Sequence, residues 1–359
     1  MKALVTGANG LIGANLVREL LGAGYEVRAL VRPTSDLSSL ENLPVEIAYG
    51  DVLHGDSLGA ATQGCDIIFH TATIFSYWGI SPSSLEQLAV EGTTNIIEAA
   101  HETGIRRVVF TSSSVVFGSS NRPLVRDETH HLDDQDSAPY VLAKALQERA
   151  AYEYADKLGV ELVAVCPTMT VGPYGYRLGP SNGIIISYLK DEFRTTYPGG
   201  CNIVSVEDVA KGHRLAAEKG LPGERYLLGS ENLKWQTIHH MISELCGLPG
   251  PHWEANHTLS FLAATGHELA SRVTGTPPLV TRTQAGMVGR YYWYAHTKAA
   301  DDLGYRPAPA RQALAQAISW LSASPHVSRQ LRTRLQLSRD VFQAGKAREH
   351  QAQVKKVVG

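Results

Sequence analysis

The sequence predicts an α/β fold: a doubly wound parallel sheet with helices on both faces and a smaller α/β lobe interleaved with it. Two observations carry this. Short apolar runs, ALVT (3–6), EVRALV (26–31), VEIAYG (45–50), CDIIFHTA (65–72), RRVVFTSS (106–113) and VELVAVCP (160–167), alternate with longer segments of helical pattern. Strands that read as nearly continuous apolar runs, separated by helices, fit a parallel sheet whose crossovers cover both faces. After Pro167 the alternation breaks at the glycine- and proline-rich stretch VGPYGYRLGPSN (171–182), where a second lobe begins.

Helices are expected from about Leu11, from about Ser84 to Thr103 and from about Tyr140 to Leu158. VSVEDVAKGH (204–213) reads as a strand end and helix start that return to the sheet. The first unit therefore spans 1–170 with a return at about 201–218, and the second lobe spans 171–200 and 219–325. The tail, 326–359, carries eight Lys/Arg against two Asp/Glu between Arg329 and Lys356 and reads as a solvated helix. The aromatic run Tyr291, Tyr292, Trp293 and Tyr294 is read as helix, packed as core in preference to roofing a pocket.

At 359 residues the chain can bury a substantial core, and its net charge of −2 supplies no field to attract nucleic acid or an anionic membrane. Cys65, Cys166, Cys201 and Cys246 stand far apart without CxxC spacing, which argues against a disulfide framework or a zinc site. His130/His131 and His239/His240 lack a further ligand at metal spacing and read as surface or cap residues, so no metal is expected. The opening MKALVTGANG is too short an apolar run for a signal peptide, and no stretch approaches the roughly 20 apolar residues of a membrane span. Cytoplasmic location is the expectation.

ALVTGANGLIG places Gly7, Gly10 and Gly13 directly between a strand and a helix. Such glycines permit a tight turn and close backbone approach to a pyrophosphate, and the following helix N-terminus offers free N–H groups to it. This predicts dinucleotide binding in a Rossmann-type sheet, with Asn9, Leu11 and Ile12 completing the turn. Asp51 and Val52, after the third strand, are candidates for the adenine end, with a capping or solvated loop role equally open for Asp51. An acid at the end of the second strand would accept hydrogen bonds from ribose hydroxyls and repel a 2′-phosphate; here that position holds Arg32, with Ser35 nearby. NADP(H) is therefore preferred over NAD(H), although Asp36 lies close enough in sequence to offset part of the charge.

Tyr140 and Lys144 stand four apart on a helix, one turn from each other, so the ammonium can favour the phenolate. A serine at the end of the preceding strand, within TSSSVVFG (111–118), can hydrogen-bond the same substrate oxygen.

With TGANGLIG, FHTAT, VEGT, TSSSVVFG, YVLAK and CPTMTVGP in this order, the chain resembles the extended short-chain dehydrogenase/reductase family over about residues 1–325. LVRPTSD, FSYWG and PGERYLLGSENL make it most similar to the dihydroflavonol-4-reductase-like branch, near the group known as hopanoid-associated sugar epimerases. The resemblance implies Ser113 as hydrogen bonder to the substrate oxygen, with Ser112 and Ser114 as competing choices. It implies Tyr140 as general acid/base and Lys144 as cofactor anchor. Thr71, Ala72, Thr73, Pro167 and Thr168 would line the nicotinamide end. It also implies a homodimer through the helices near Tyr140.

Three departures narrow the chemistry. Dehydratases of the family carry Asp and Glu where this chain has Ser114 and Val115, many nucleotide-sugar epimerases carry Asn where it has Cys166, and many relatives carry Asn at Ala89. Phe75, Tyr77 and Trp78 after the fourth strand, with Tyr174 and Tyr188 in the second lobe, are candidate walls for a small-molecule substrate. His70 reads as a structural contact. The leading expectation is an NADP(H)-dependent reductase of a ketone or aldehyde on a fairly apolar molecule, with cyclic compounds among the candidates; the alternatives are a sugar epimerase with retained NAD(P) and a nonenzymatic dinucleotide sensor.

Overall fold

The computed structural model describes residues 1–73, 81–133, 138–275 and 281–358. Phe75, Tyr77 and Trp78 lie outside the described residues.

In chain order the first unit runs β1 (Lys2–Thr6), α1 (Leu11–Gly22), β2 (Glu26–Val31), β3 (Glu46–Tyr49), α2 (Leu58–Thr62), β4 (Ile67–His70), α3 (Pro82–Glu102), β5 (Arg107–Thr111), α4 (Pro139–Leu158) and β6 (Glu161–Pro167). There follow β7 (Met169–Val171), α5 (Pro180–Lys190), β8 (Thr195–Thr196), β9 (Gly200–Ser205), α6 (Val206–Lys219), β10 (Arg225–Leu228) and β11 (Glu231–Lys234). The chain ends with α7 (Trp235–Cys246), β12 (Trp253–Glu254), α8 (His257–Thr274), α9 (Arg282–Gly286), β13 (Tyr291–Tyr292), α10 (Ala310–Ala323), α11 (Arg329–Arg334) and α12 (Arg339–Val358).

Seven strands form a parallel sheet in the order β10-β6-β5-β4-β1-β2-β3. The order reverses between β1 and β4, which opens a crevice at their carboxyl ends. Thr6 pairs with His70 in register, and His70 with Phe110, so the turns after β1, β4 and β5 leave from the same edge. Both faces are covered because the strands are apolar on both sides. Val5, Phe69 and Val109 pack with Leu16 and Leu20 of α1 and Val209 of α6. Leu4, Ile68 and Phe110 pack with Ile96 and Ile97 of α3 and Ala151 and Ala155 of α4.

The smaller sheet holds β11-β9-β13, with β7 also pairing β9, and its core joins Ile203 to Ile238, Ile242, Leu314 and Ile318. The return to the first unit differs from the expected 201–218. Its strand half, β9, pairs within the smaller sheet; α6 packs on the large sheet, and β10 joins β6 as the seventh strand. All six residues of β9 are buried, Asn202 and Ser205 among them, so its sequence shows no alternation that would assign it to either sheet.

Tyr291–Tyr292 is a strand, not the expected helix. It pairs Gly200 and Cys201 of β9, which suits the β propensity of consecutive aromatics. Two bridges, Ser120 to Tyr291 and Arg126 to Tyr294, tie this strand to the loop after β5. The tail is helical as expected but only partly solvated: Leu331 and Val341 are buried against the second lobe, and Asp340 pairs Arg311 at 2.9 Å.

Candidate active site

The turn after β1 is closed on itself. Gly10 N–H donates to the Gly7 carbonyl at 2.9 Å, and Gly7 holds φ +64°. A β-carbon on Gly7 would lie 2.8 Å from the Ala72 backbone, and one on Gly13 would lie 2.2 Å from Gly7 O. Only glycine leaves the backbone bare enough for the turn, the 71–73 segment and α1 to meet here. Asn9, Leu11 and Ile12 are half-exposed at the same edge.

Arg32, one residue beyond β2, is exposed and without an ion pair among the described residues. Asp36 does not neutralise it. Its carboxylate accepts from Ser38 N at 2.9 Å and Ser38 Oγ at 2.6 Å, bonds that hold it below the usual carboxylate range, and Asn9 Nδ2 donates to its backbone carbonyl at 3.3 Å. Ser35 is half-buried, and its N–H closes a turn onto Arg32 O. Asp51 accepts from Leu53 N at 3.1 Å, and the Val52 carbonyl is held by Asn95 of α3 at 2.9 Å. The residues therefore fit a dinucleotide: a cradle that β-carbons would fill, with a free guanidinium beside it.

Ser113 follows β5 in extended conformation and caps the turn Ser114–Phe117 through Val115 N. Pro139 at the first helical position starts α4, which carries Tyr140 and Lys144 on one face. Tyr140 is nearly enclosed, and the Ser113 side chain lies near enough to its phenol to act on it. Burial pushes the phenol up to about 12, against a smaller lowering by Ser113. The lowering of the phenol expected from Lys144 is not seen: burial raises it and Ser113 alone acts to lower it, so Tyr140 stands as a neutral proton donor.

Lys144 donates from Nζ to Thr111 O at 3.1 Å and Gln147 Oε1 at 2.8 Å. Desolvation brings the ammonium down to about 8, opposed first by Glu148 and then by Cys166. Ser112, a competing choice for the catalytic serine, is turned away: its hydroxyl donates to the Glu148 carboxylate, which also pairs Arg225 of β10 at 3.1 Å. This favours Ser113.

Residues 3–229 match the model described as the NAD-dependent epimerase/dehydratase family. The chain belongs to this family. It is 35% identical over 331 residues to the putative dihydroflavonol 4-reductase of Synechocystis sp., covering 91% of this chain and 96% of that protein. It is 30% identical to sterol demethylase protein B of Methylococcus capsulatus, covering 89% and 98%. The crystal structure of gox2253 is similar with a TM-score of 0.78 and 34% identity, covering 89% of this chain and 97% of that one. An extended short-chain dehydrogenase/reductase with NAD(P)-dependent oxidoreductase chemistry is thus the family's common ground, as the motifs implied.

Within this family member the remaining sequence-predicted residues fall as follows. Thr71 Oγ1 donates to Thr6 O at 2.7 Å, Ala72 N to Thr6 Oγ1 at 3.2 Å, and Thr73 is exposed at the crevice edge. Pro167 and Thr168 are buried at the end of β6, with Thr168 Oγ1 on Asn202 at 2.8 Å. Tyr174 lies under the Arg18 guanidinium at 3.6 Å and beside Trp320, which makes it a joint between α1 and α10. Tyr188 is a core residue of the second lobe, its hydroxyl 2.8 Å from Ser243 Oγ. Its ring stacks on His239. His239 is therefore not the surface or cap residue expected; it is buried and brought down to about 4 by desolvation.

Sequence reading missed Thr93, Gln147, Glu148 and Arg225, which lie around Lys144 and beneath Ser112. The signal was a glutamine and a glutamate one turn after Lys144, on a helix face that the YxxxK spacing already points inward.

Proposed function

We propose that the protein is an NADP(H)-dependent reductase that converts a ketone or aldehyde of a fairly apolar, cyclic compound to the alcohol. The observation that carries it is the buried Tyr140 phenol, with Ser113 beside it, at the carboxyl edge of the sheet where the Gly7 turn also opens. The Gly7–Gly13 turn would hold the pyrophosphate, Arg32 the 2′-phosphate and Lys144 the nicotinamide ribose. NADPH supplies the hydride when bound.

Tyr140 donates its phenolic proton to the carbonyl oxygen as that oxygen gains charge, and Ser113 hydrogen-bonds the same oxygen. Lys144, held by Thr111 O and Gln147, stabilises the phenolate left behind. Burial of Tyr140 keeps it protonated at neutral pH, the form reduction consumes. Ser114 and Val115 supply no second acid or base, which disfavours elimination of water. Cys166 is wholly buried against Glu148, so it offers no donor to a sugar diphosphate. The named reductase and sterol-processing relatives support an apolar cyclic substrate class, and the cytoplasm supplies the reduced cofactor.

The test is a panel of cyclic ketones, aldehydes and nucleotide sugars with NADPH and NADH. The proposal predicts stoichiometric loss of NADPH absorbance with a carbonyl compound; isomerisation of a sugar with the cofactor retained and unspent would replace it with epimerisation.

A further inference from the structure

A chain of buried polar groups runs from the glycine turn to Lys144, and its direction can be read link by link. Ala72 N–H donates to Thr6 Oγ1 at 3.2 Å, and Thr6 Oγ1 lies 2.8 Å from His70 Nδ1. Thr6 keeps both a lone pair and a hydrogen for His70, so the direction is set from the ring's other nitrogen, Nε2, which must donate to Thr93 and leaves Nδ1 to accept from Thr6. His70 Nε2 lies 3.3 Å from Thr93 Oγ1. Thr93 gives its single hydrogen to Ala89 O at 3.0 Å, so towards every other neighbour it can only accept. It accepts from Gln147 Nε2 at 2.7 Å, which turns Gln147 Oε1 onto Lys144 Nζ at 2.8 Å. His70, Thr93, Gln147 and Lys144 are all almost fully excluded from solvent.

We infer that Gln147 is a positioning residue for the reaction, its carboxamide locked by Thr93 and His70 so that its oxygen faces Lys144 and holds the ammonium charged and aimed. An ammonium has three donors. Thr111 O and Gln147 Oε1 take two, leaving one N–H for the site itself. The carboxamide that Ala89 does not provide on α3 is supplied from α4. A glutamate at 147 would pair with Lys144 and cancel its field at Tyr140, whereas a neutral oxygen supports the cation without neutralising it. The groups acting on Lys144 from the packed elements are Glu148 on α4, Cys166 on β6 and His70 on β4; His70 is neutral, brought down to about 3 by burial and the nearby lysine.

The catalytic meaning rests on the reductase reading, but the test needs no turnover. The titration of Lys144 is followed by NMR of ε-carbon-labelled lysine in the full chain, with its signal assigned by loss in Lys144→Met. The wild type is expected to titrate near 8. Gln147→Met should lower the midpoint by about one unit and Gln147→Glu raise it by about one. Thr93→Val, which removes the hydroxyl, should lower it, whereas Thr93→Ser should restore it. Midpoints for Gln147→Met and Thr93→Val within about 0.3 unit of the wild type would overturn the inference. Should Thr93→Val fail to fold, Gln147→Met decides. A carbonyl panel without turnover would remove the reductase reading and leave this result standing.

Discussion

A β-carbon on Gly13 would lie 2.2 Å from the carbonyl oxygen of Gly7. That oxygen is also the acceptor for Gly10 N–H at 2.9 Å, so an alanine at 13 cannot be accommodated without opening the turn. Gly13→Ala should weaken NADPH binding at least about tenfold, a loss of about 1.4 kcal/mol. Fluorescence titration of the cofactor measures it; unchanged affinity would show that the turn is not the cradle.

Arg32 has an exposed guanidinium, while Asp36 turns its Oδ1 to Ser38 and Arg32 is not among the groups acting on it. Arg32→Asp should therefore lower kcat/KM for NADPH relative to NADH by at least about tenfold, because a carboxylate repels a 2′-phosphate and accepts from ribose hydroxyls. Steady-state kinetics with both cofactors checks this. An unchanged ratio would take Arg32 out of the phosphate site.

Glu148 is buried and pairs Arg225 at 3.1 Å while also accepting from Ser112. Removing one member of such a pair leaves a buried charge with too few partners. Arg225→Met should cost about 3 kcal/mol in urea denaturation. A loss under about 1 kcal/mol would show that Ser112 suffices for the carboxylate.

Burial brings His70 down to about 3, and His213 and His239 each to about 4. In the unfolded chain these rings take up protons below about pH 6.5. Between about pH 4 and 6.5 the unfolded state thus binds more protons than the native one, so stability rises with pH and levels off above that window. Near pH 5 the slope should approach about 4 kcal/mol per pH unit if all of them contribute. Urea midpoints at a series of pH values measure it, and His213→Gln should make the slope shallower. A flat profile from pH 7 to 5 would contradict the buried neutral assignment.

The large sheet was legible because each strand is an apolar run between helices, and the cofactor turn because three glycines sit directly behind the first of them. The Tyr140–Lys144 pair was legible for the same local reason, a spacing of one helical turn. The Lys144 support was not, since Thr6, His70, Thr93 and Gln147 come from β1, β4, α3 and α4, and only the β1–β4 register and the packing of α3 on α4 bring them together. The second lobe was hard to read for another reason. Strands as short as Thr195–Thr196 and Tyr291–Tyr292 carry too few residues to show a period, and β9 is buried throughout, so pairing decides its sheet. His239 was misread because its burial depends on Tyr188 and Thr196, both distant in sequence.

The central claim is that the Tyr140 phenol delivers the proton beside Ser113. Single-turnover reduction by Tyr140→Phe, with the dissociation constant for NADPH measured on the same protein, tests it most directly. The account predicts a fall in rate of at least about a thousandfold, within the range that general acid catalysis supplies, with cofactor affinity nearly unchanged. A Tyr140→Phe protein that reduces the substrate at the wild-type rate would contradict it.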